Sequence, residues 1–468
     1  MSDTGKGKRD LTRGGIVKTI LTLALPIAGS QLLQMLYNFT DMFWLGRLSG
    51  EAVAASGTAG LFLWLSVGLM LVGKVGTEIG VSQSRGRGDE ALALRFARSG
   101  LYISAILGLA YAAFMGLLRG PLVALFRYRE SSVAAEMASY MGLMAIGIPF
   151  QFVGAAVGGI FGASGNTRTP FFFNLIGLGM NLIIDPLLIF NCGLGIEGAA
   201  VASIASEVTV AAQLCIALKR SKRRPFEAFA VFPRPRSLRA LRDELRGVAG
   251  KFAKWTIPIF LESTLFCLLT MVTSGFEVSV GAYAVTVSRV GTQVESLSWL
   301  VGGGFGSALT IFVGQNYGAG RYDRIAGGVK RSAFIMAGWG LAVTAVLALG
   351  GEAIYRFFLP EDAELWGLGV RYMRILAISQ IPMNLESVFG NAFKGQGRTI
   401  PPSVSSISSN VVRVPLAYIL SRTSLGLTGI WLAVTITAAM RGIWIGAWYG
   451  ISGRPRRGRA EGTGAARA

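Results

Sequence analysis

The sequence predicts an all-α polytopic membrane protein, with twelve transmembrane helices in two six-helix lobes related by a parallel internal repeat. Three observations carry this. Of 468 residues, 52% are hydrophobic and only 15% charged, where a soluble chain has about a quarter charged residues; mean hydropathy is +0.53. Apolar runs long enough to span a bilayer recur from end to end. The two halves also share landmarks at a nearly constant spacing.

The opening stretch MSDTGKGKRDLTRGG, residues 1–15, is polar and basic and reads as a cytoplasmic tail. No small-residue cleavage site follows the first apolar run, 16–46, so that run is a retained helix rather than a signal peptide. Runs 52–83, 96–118, 132–162, 170–191 and 195–218 complete an N-lobe, 16–218. A basic linker, 219–248, leads into runs 249–275, 280–314, 330–352, 366–393, 399–421 and 425–451, the C-lobe, 249–451. A basic tail, 452–468, ends the chain. Several runs exceed the ~20 residues a span needs and must tilt, kink or project beyond the hydrocarbon.

A net charge of +20 raises the question of nucleic acid, but the placement of the charges argues against it. On the side of the N-terminus lie 33 Lys and Arg residues; the opposite side has six (Arg47, Arg119, Arg127, Arg129, Arg356 and Arg422). Such asymmetry places both termini and the linker in the cytoplasm, with the protein multi-pass in the cell's inner (plasma) membrane.

Pro26, Val81, Gln83, Gly86 and Gly88 recur as Pro258, Val313, Gln315, Gly318 and Gly320, all at one and the same offset. GNTRTP (165–170) is echoed by GQGRTIP (395–401), while Asn181 and Pro186 match Asn410 and Pro415, and Gly195 and Gly198 match Gly426 and Gly429. An even number of helices in each half gives both repeats the same orientation, the architecture of an alternating-access transporter.

There is no histidine. That removes Ser-His-Asp and Cys-His catalysis, HExxH zinc sites and histidine relays. Proton chemistry then falls to buried carboxylates, whose neutral form desolvation favours. Cys192, Cys215 and Cys267 are too few and scattered for a disulfide or metal framework. The glycine runs GGIFGASG (158–165) and VGGGFGS (301–307) lack GxxxxGK[ST] and read as helix-packing surfaces, so no nucleotide or other cofactor is expected.

Asp41 is the one acidic residue in the long apolar stretch from Ile20 to Gly46, a costly position that usually signals function. Tyr37 and Asn38 precede it by four and three residues and share its face. Asn181 likewise precedes Asp185 by four, and Pro186 frees the Leu182 carbonyl. Helical rise places Asp41 ~37 Å and Asp185 ~22 Å along their outward-running segments, with Ser203 ~12 Å into the next, returning one. These depths suit one polar pocket of two carboxylates, two amides, a phenol and a hydroxyl. In the second repeat Asp41 and Asp185 align with Thr273 and Val414. Glu262 and Glu386 form a second-tier pair in the C-lobe; Glu207 and Glu295 are lone acids of unassigned facing. Glu78 has Lys74 one turn earlier, which explains it as a surface ion pair, and Glu277 is expected in an outer loop.

The stretches LALPIAGSQLLQMLYNFTDMFWLGRLSGEAVAASG, GNTRTPFFFNLIGLGMNLIIDPLLIFNCGLGIEGAAVAS and GQNYGAGRYDR resemble the multidrug and toxic compound extrusion (MATE) family over about residues 16–450. The resemblance implies two six-helix lobes exporting organic cations in exchange for H⁺ or Na⁺. In the DinF-like branch a first-helix Asp and a fifth-helix Asp form an N-lobe cation site, matching Asp41 and Asp185 with Tyr37, Asn181 and, for the usual Thr, Ser203. ESTLF at Glu262 is similar to the NorM-like branch, whose C-lobe carboxylates bind Na⁺. Both coupling ions therefore stay open, with Na⁺, if used, at Asp41 and Asp185.

The resulting expectation is a secondary-active efflux transporter, not an enzyme, acting as a monomer in lipid on small organic substrates. Met35, Phe39, Met42, Met180 and Met271 offer an adaptable cavity wall. The alternative is a lipid-linked oligosaccharide flippase of the same wider superfamily, which would need a basic cavity drawn from Lys74, Arg289, Arg371, Arg374 and Arg413.

Overall fold

Helices follow the apolar runs almost from loop to loop. The computed structural model describes residues 10–128, 130–220 and 238–454. Much of the expected linker (221–237) and both outer portions of the tails (1–9 and 455–468) lie outside the described residues. Thirteen α-helices and no strands occur among the described residues. They are α1 (Ile16–Leu48), α2 (Gly50–Gly86), α3 (Glu90–Leu117), the short α4 (Arg119–Ala124), α5 (Ser131–Ala163), α6 (Arg168–Pro186), α7 (Gly195–Arg220), α8 (Leu238–Val280), α9 (Ala282–Gly318), α10 (Tyr322–Phe358), α11 (Ala363–Gly395), α12 (Ile400–Ser421) and α13 (Leu427–Trp448). Setting aside α4, twelve long helices remain.

Ten of these are long and apolar enough to cross a membrane on hydropathy alone; α11 and α12 are not among them. Their polar residues explain why. Gln380, Asn384, Ser403, Ser405, Ser406, Ser409, Asn410 and Arg413 are all buried inside the protein, while Arg371 and Arg374 of α11 are exposed and lower its hydropathy further. Two positions depart from expectation. Glu277 sits in the last turns of α8 beside Ser288 and Trp431, because the helix continues to Val280. Residues 238–248, assigned to the linker, are already the first turns of α8.

The chain forms two compact units. The first holds Gly29–Phe260 and the second Leu261 onward together with Thr12–Ala28. The division therefore falls inside α1 and α8 rather than at the linker. Local contacts account for it. In the second unit, Arg324 of α10 donates to the Gly14 and Arg13 carbonyls at 2.8 Å each, and Gly304 of α9 leaves no room for a Cβ against Ala28. In the first, Arg95 of α3 donates to the carbonyls of Glu244 (3.1 Å) and Asp243 (2.8 Å), and Trp255 stacks on Phe96 at 5.5 Å.

Each unit has its own core. In the first, Met115, Met137, Phe152 and Ile196 anchor one cluster and Phe96, Phe161, Phe252 and Leu214 another. In the second, Tyr355, Tyr372 and Trp431 pack together, and the Tyr355 hydroxyl donates to the Val287 carbonyl at 2.7 Å. The repeat is visible in detail at Gly198 and Gly429, one of its matched pairs. A Cβ on Gly198 would come within 2.7 Å of the Leu188 backbone, and one on Gly429 within 2.5 Å of Leu420. Each lets the last helix of its half approach the turn before it.

Candidate functional site

The N-terminal unit gathers most of the predicted polar residues. On α6, Asn181 and Asp185 stack one turn apart, both fully buried, and the Asn181 amide donates to Asp185 Oδ1 at 3.0 Å. Pro186 follows at once; it has no N–H to offer, and the chain continues as a π-helical turn over Leu187–Asn191. On α1, Asp41 is half-buried, and its Oδ2 accepts the Ser203 hydroxyl of α7 at 3.1 Å. The carboxyl groups of Asp41 and Asp185 face each other, with Tyr37 beside them and next to Ser203.

Asp41 Oδ1, Asp185 Oδ2, Asn181 Oδ1 and the Tyr37 hydroxyl are all buried without a hydrogen-bond partner. Buried polar atoms are rarely left so. Three of the four are acceptors only, so what the cluster lacks is donated hydrogen or positive charge. Among the described residues neither aspartate forms an ion pair with a lysine or arginine.

Asn38 does not join this cluster. It is exposed on α1, a correction to the shared-face expectation with a simple cause. At about 100° per residue, Tyr37 and Asp41 lie ~40° apart on the helix, but Asn38 falls ~100° from Tyr37 on the other side of Asp41.

Glu262 and Glu386 have separate partners. The Ser403 hydroxyl donates to Glu262 Oε2 at 2.9 Å, whereas Glu386 forms an ion pair with Arg441 at 3.0 Å. Glu78 is buried on α2 against Gly159 rather than at a surface, with Lys74 the charge that faces it. Two acidic groups gain definite neighbours. Glu207 on α7 accepts the Gln151 amide of α5 at 3.0 Å, and Glu295 on α9 accepts that of Gln380 at 2.8 Å. The spacing of Glu207, four residues after Ser203, was the available signal that it faces Asp41; Gln151 had no such signal. Among the described residues no three acidic or cysteine side chains draw together tightly enough to hold one metal ion.

The sequence profile of the MatE family matches twice, over residues 26–187 and 258–419. The chain belongs to the MatE family. The two matches begin at Pro26 and Pro258, which are the first matched pair of the internal repeat. The probable multidrug resistance protein NorM of Thermotoga maritima is 24% identical over 425 residues, covering 90% of this MatE chain and 89% of its own length. The FAD transporter of Shewanella oneidensis is 26% identical over 450 residues, 94% of this chain and 95% of its own. A multidrug resistance MATE family transporter of the MOP superfamily, solved in an outward-facing conformation, shares the fold with a TM-score of 0.84 at 23% identity, covering 97% of this chain and 99% of its own. This MatE protein is accordingly a multi-pass membrane transporter and not an enzyme.

Proposed function

We propose that the protein is a secondary-active exporter, moving a cationic, partly apolar organic compound out of the cell in exchange for H⁺ or Na⁺ held at Asp41 and Asp185. The observation that carries this reading is the facing carboxylate pair, which has surplus acceptor atoms and, among the described residues, no basic partner. Charges buried without compensation are strongly destabilising. The pair is therefore favourable only while something positive occupies it, and its occupancy can be exchanged. Asn181, Ser203 and Tyr37 orient the carboxyl groups. Glu262 and Glu386 contribute less, the latter being neutralised already by Arg441.

Transport follows if the coupling ion and the organic cation favour different conformations of the helices around the pair. The work done cannot exceed the difference in each ligand's affinity for the two conformations. Both termini lie in the cytoplasm, and no cofactor enters the cycle.

The flippase alternative is weaker, since it needs converging basic residues. Arg289, Arg371 and Arg374 are exposed, Arg413 is held by Thr437 at 3.1 Å, and Lys74 faces Glu78. The test is ethidium movement in proteoliposomes under separately imposed H⁺ and Na⁺ gradients, with FAD as a second, anionic probe. One gradient should drive ethidium uphill. Ethidium unmoved by either gradient would refute the reading.

A further inference from the structure

The second unit buries an arginine that no acid touches. Arg413 lies midway along α12 and is only 7% exposed. Its one hydrogen bond among the described residues runs from Nε to Thr437 Oγ1 of α13, at 3.1 Å. The two terminal nitrogens of the guanidinium fork are left unmatched, and among the described residues Arg413 forms no ion pair. A guanidinium cannot shed its charge as a carboxylate can. Held inside a membrane bundle, that charge is costly and is ordinarily paired.

The ionisable groups around Arg413 do not cancel it at contact. Glu295 of α9 faces both Arg413 and Arg441 of α13 but pairs with neither, and its Oε1 takes the Gln380 amide of α11 at 2.8 Å. Arg441 is committed through Nη2 to Glu386 of α11 at 3.0 Å, while its Nε is buried without a partner. Two acceptors nearby are equally unmet. Gln380 Oε1 and Asn410 Oδ1 have no hydrogen-bond partner, on side chains 0% and 1% exposed. Asn410 stands one turn before Arg413, and its amide donates to the Ser406 carbonyl at 2.8 Å. It is also the repeat counterpart of Asn181. Where α6 then sets Asp185, α12 sets Val414 with Arg413 just before it. The same helix of the repeat therefore presents a carboxylate in one unit and a guanidinium in the other.

Unmet donors and unmet acceptors together select a ligand. A simple cation leaves the Arg413 fork unmatched, and a simple anion meets repulsion from Glu295. A molecule bearing both charges answers both.

We propose that Arg413, with Nε of Arg441, is a carboxylate seat in the second unit, and that the compound bound there is an organic cation that also carries a carboxylate. The planar fork takes the two carboxylate oxygens side by side. The cationic part of the ligand lies toward Glu295 and the Gln380 oxygen. One unpaired arginine matches one carboxylate, and is not the set of converging basic residues that a flippase needs. The proposal rests on the export reading above for the compound's onward fate, and adds a second charge to its substrate.

A matched pair of dyes tests this. Rhodamine B is a delocalised cation with a free carboxylate; its ethyl ester is the same cation with the carboxylate masked. Each is titrated against the purified full-length protein in detergent and followed by fluorescence anisotropy, with no gradient present. Wild type should bind rhodamine B about tenfold or more tighter than the ester. Arg413→Gln keeps polarity without charge, and should bring the two affinities within about twofold through weaker binding of rhodamine B. Arg413→Lys, with the charge but not the fork, should fall between. If Arg413→Gln does not fold, sodium benzoate added to wild type should displace rhodamine B and leave the ester bound. Equal affinities in wild type, no binding of rhodamine B, a preference that survives in Arg413→Gln, or benzoate acting alike on both dyes would overturn the seat. Nothing is transported in this measurement, so such a failure leaves the export reading standing. Ethidium unmoved by either gradient is the separate result that sinks that reading.

Discussion

A carboxylate inside a membrane helix costs roughly 2.5–3.5 kcal/mol on insertion scales, and the surroundings of Asp41 indicate what offsets it. One oxygen takes the Ser203 hydroxyl and the other is left open beside Asp185. Asp41→Asn keeps the size and the capacity to accept from Ser203 while fixing the charge at zero. It should insert and fold normally yet lose ion-driven ethidium efflux, and Asp185→Asn should do the same. Glu78→Gln, on α2 with Lys74 as its neighbouring charge, should not. Uphill transport by Asp41→Asn at the wild-type rate would make the carboxylate merely structural. Ser203→Ala removes a single donor worth about 0.5–1.5 kcal/mol. The expected consequence is a roughly two- to tenfold weaker apparent affinity for the coupling ion with maximal rate largely kept, read from the ion dependence of initial efflux. Much of this cluster was legible in the sequence, because Tyr37/Asp41 and Asn181/Asp185 are spaced by one helical turn. Asn38 shows the limit of that logic: three residues before Asp41 is near enough on a helical wheel, yet it falls on the wrong side of the contact. Glu386 shows another, since it lies on α11 and its partner Arg441 on α13, and only tertiary structure joins them.

At the scale of elements, the same physics both revealed and concealed the helices. Ten were plain from hydropathy, but α11 and α12 bury amides, hydroxyls and an arginine inward, and a composition window counts those as though they met lipid. Both are legible as spans from the apolar runs 366–393 and 399–421, and for α12 the repeat adds its weight by matching Asn181 and Pro186 on α6 with Asn410 and Pro415. The split of α1 at Ala28 and of α8 at Phe260 had no sequence signal, because it depends on Arg324 and Arg95 reaching carbonyls far along the chain. The glycines at the start of α7 and α13 give an element-level prediction. Position 198 lies 2.7 Å, measured from an ideal Cβ, from the Leu188 backbone, and backbone cannot swing aside as a side chain can. Gly198→Val should therefore overpack the π-helical turn after Asp185 and cost about 1–3 kcal/mol. A lowered melting temperature in detergent is expected, and Gly429→Val should behave alike in the second repeat. Gly158→Val, where nothing stands within 4 Å of the added Cβ, is the control. Equal melting of all three variants would show that these close approaches do not govern stability.

For the whole molecule, the distribution of charge carries a prediction of orientation in the membrane. With twelve crossings, thirty-three basic residues would fall on the side of the N-terminus and six on the other, and because loops rich in Lys and Arg stay cytoplasmic, both termini are expected there. The helices supply an independent parity argument. Glu130 is exposed and immediately precedes α5, while Lys222 lies two residues beyond the end of α7. Between them the chain passes through α5, α6 and α7, three crossings, and an odd number must exchange sides. A cysteine-free version is needed first, replacing Cys192, which is exposed, and the less accessible Cys215 and Cys267 by serine. Single cysteines at Glu130 and Lys222 are then challenged with an impermeant maleimide in intact cells. The residue-130 cysteine should react from outside, and the residue-222 cysteine only after permeabilisation. Labelling of both from one side would mean that an odd number of the three helices fails to cross, and the parallel relation of the repeats, which requires an even number of crossings in each half, would fall with it.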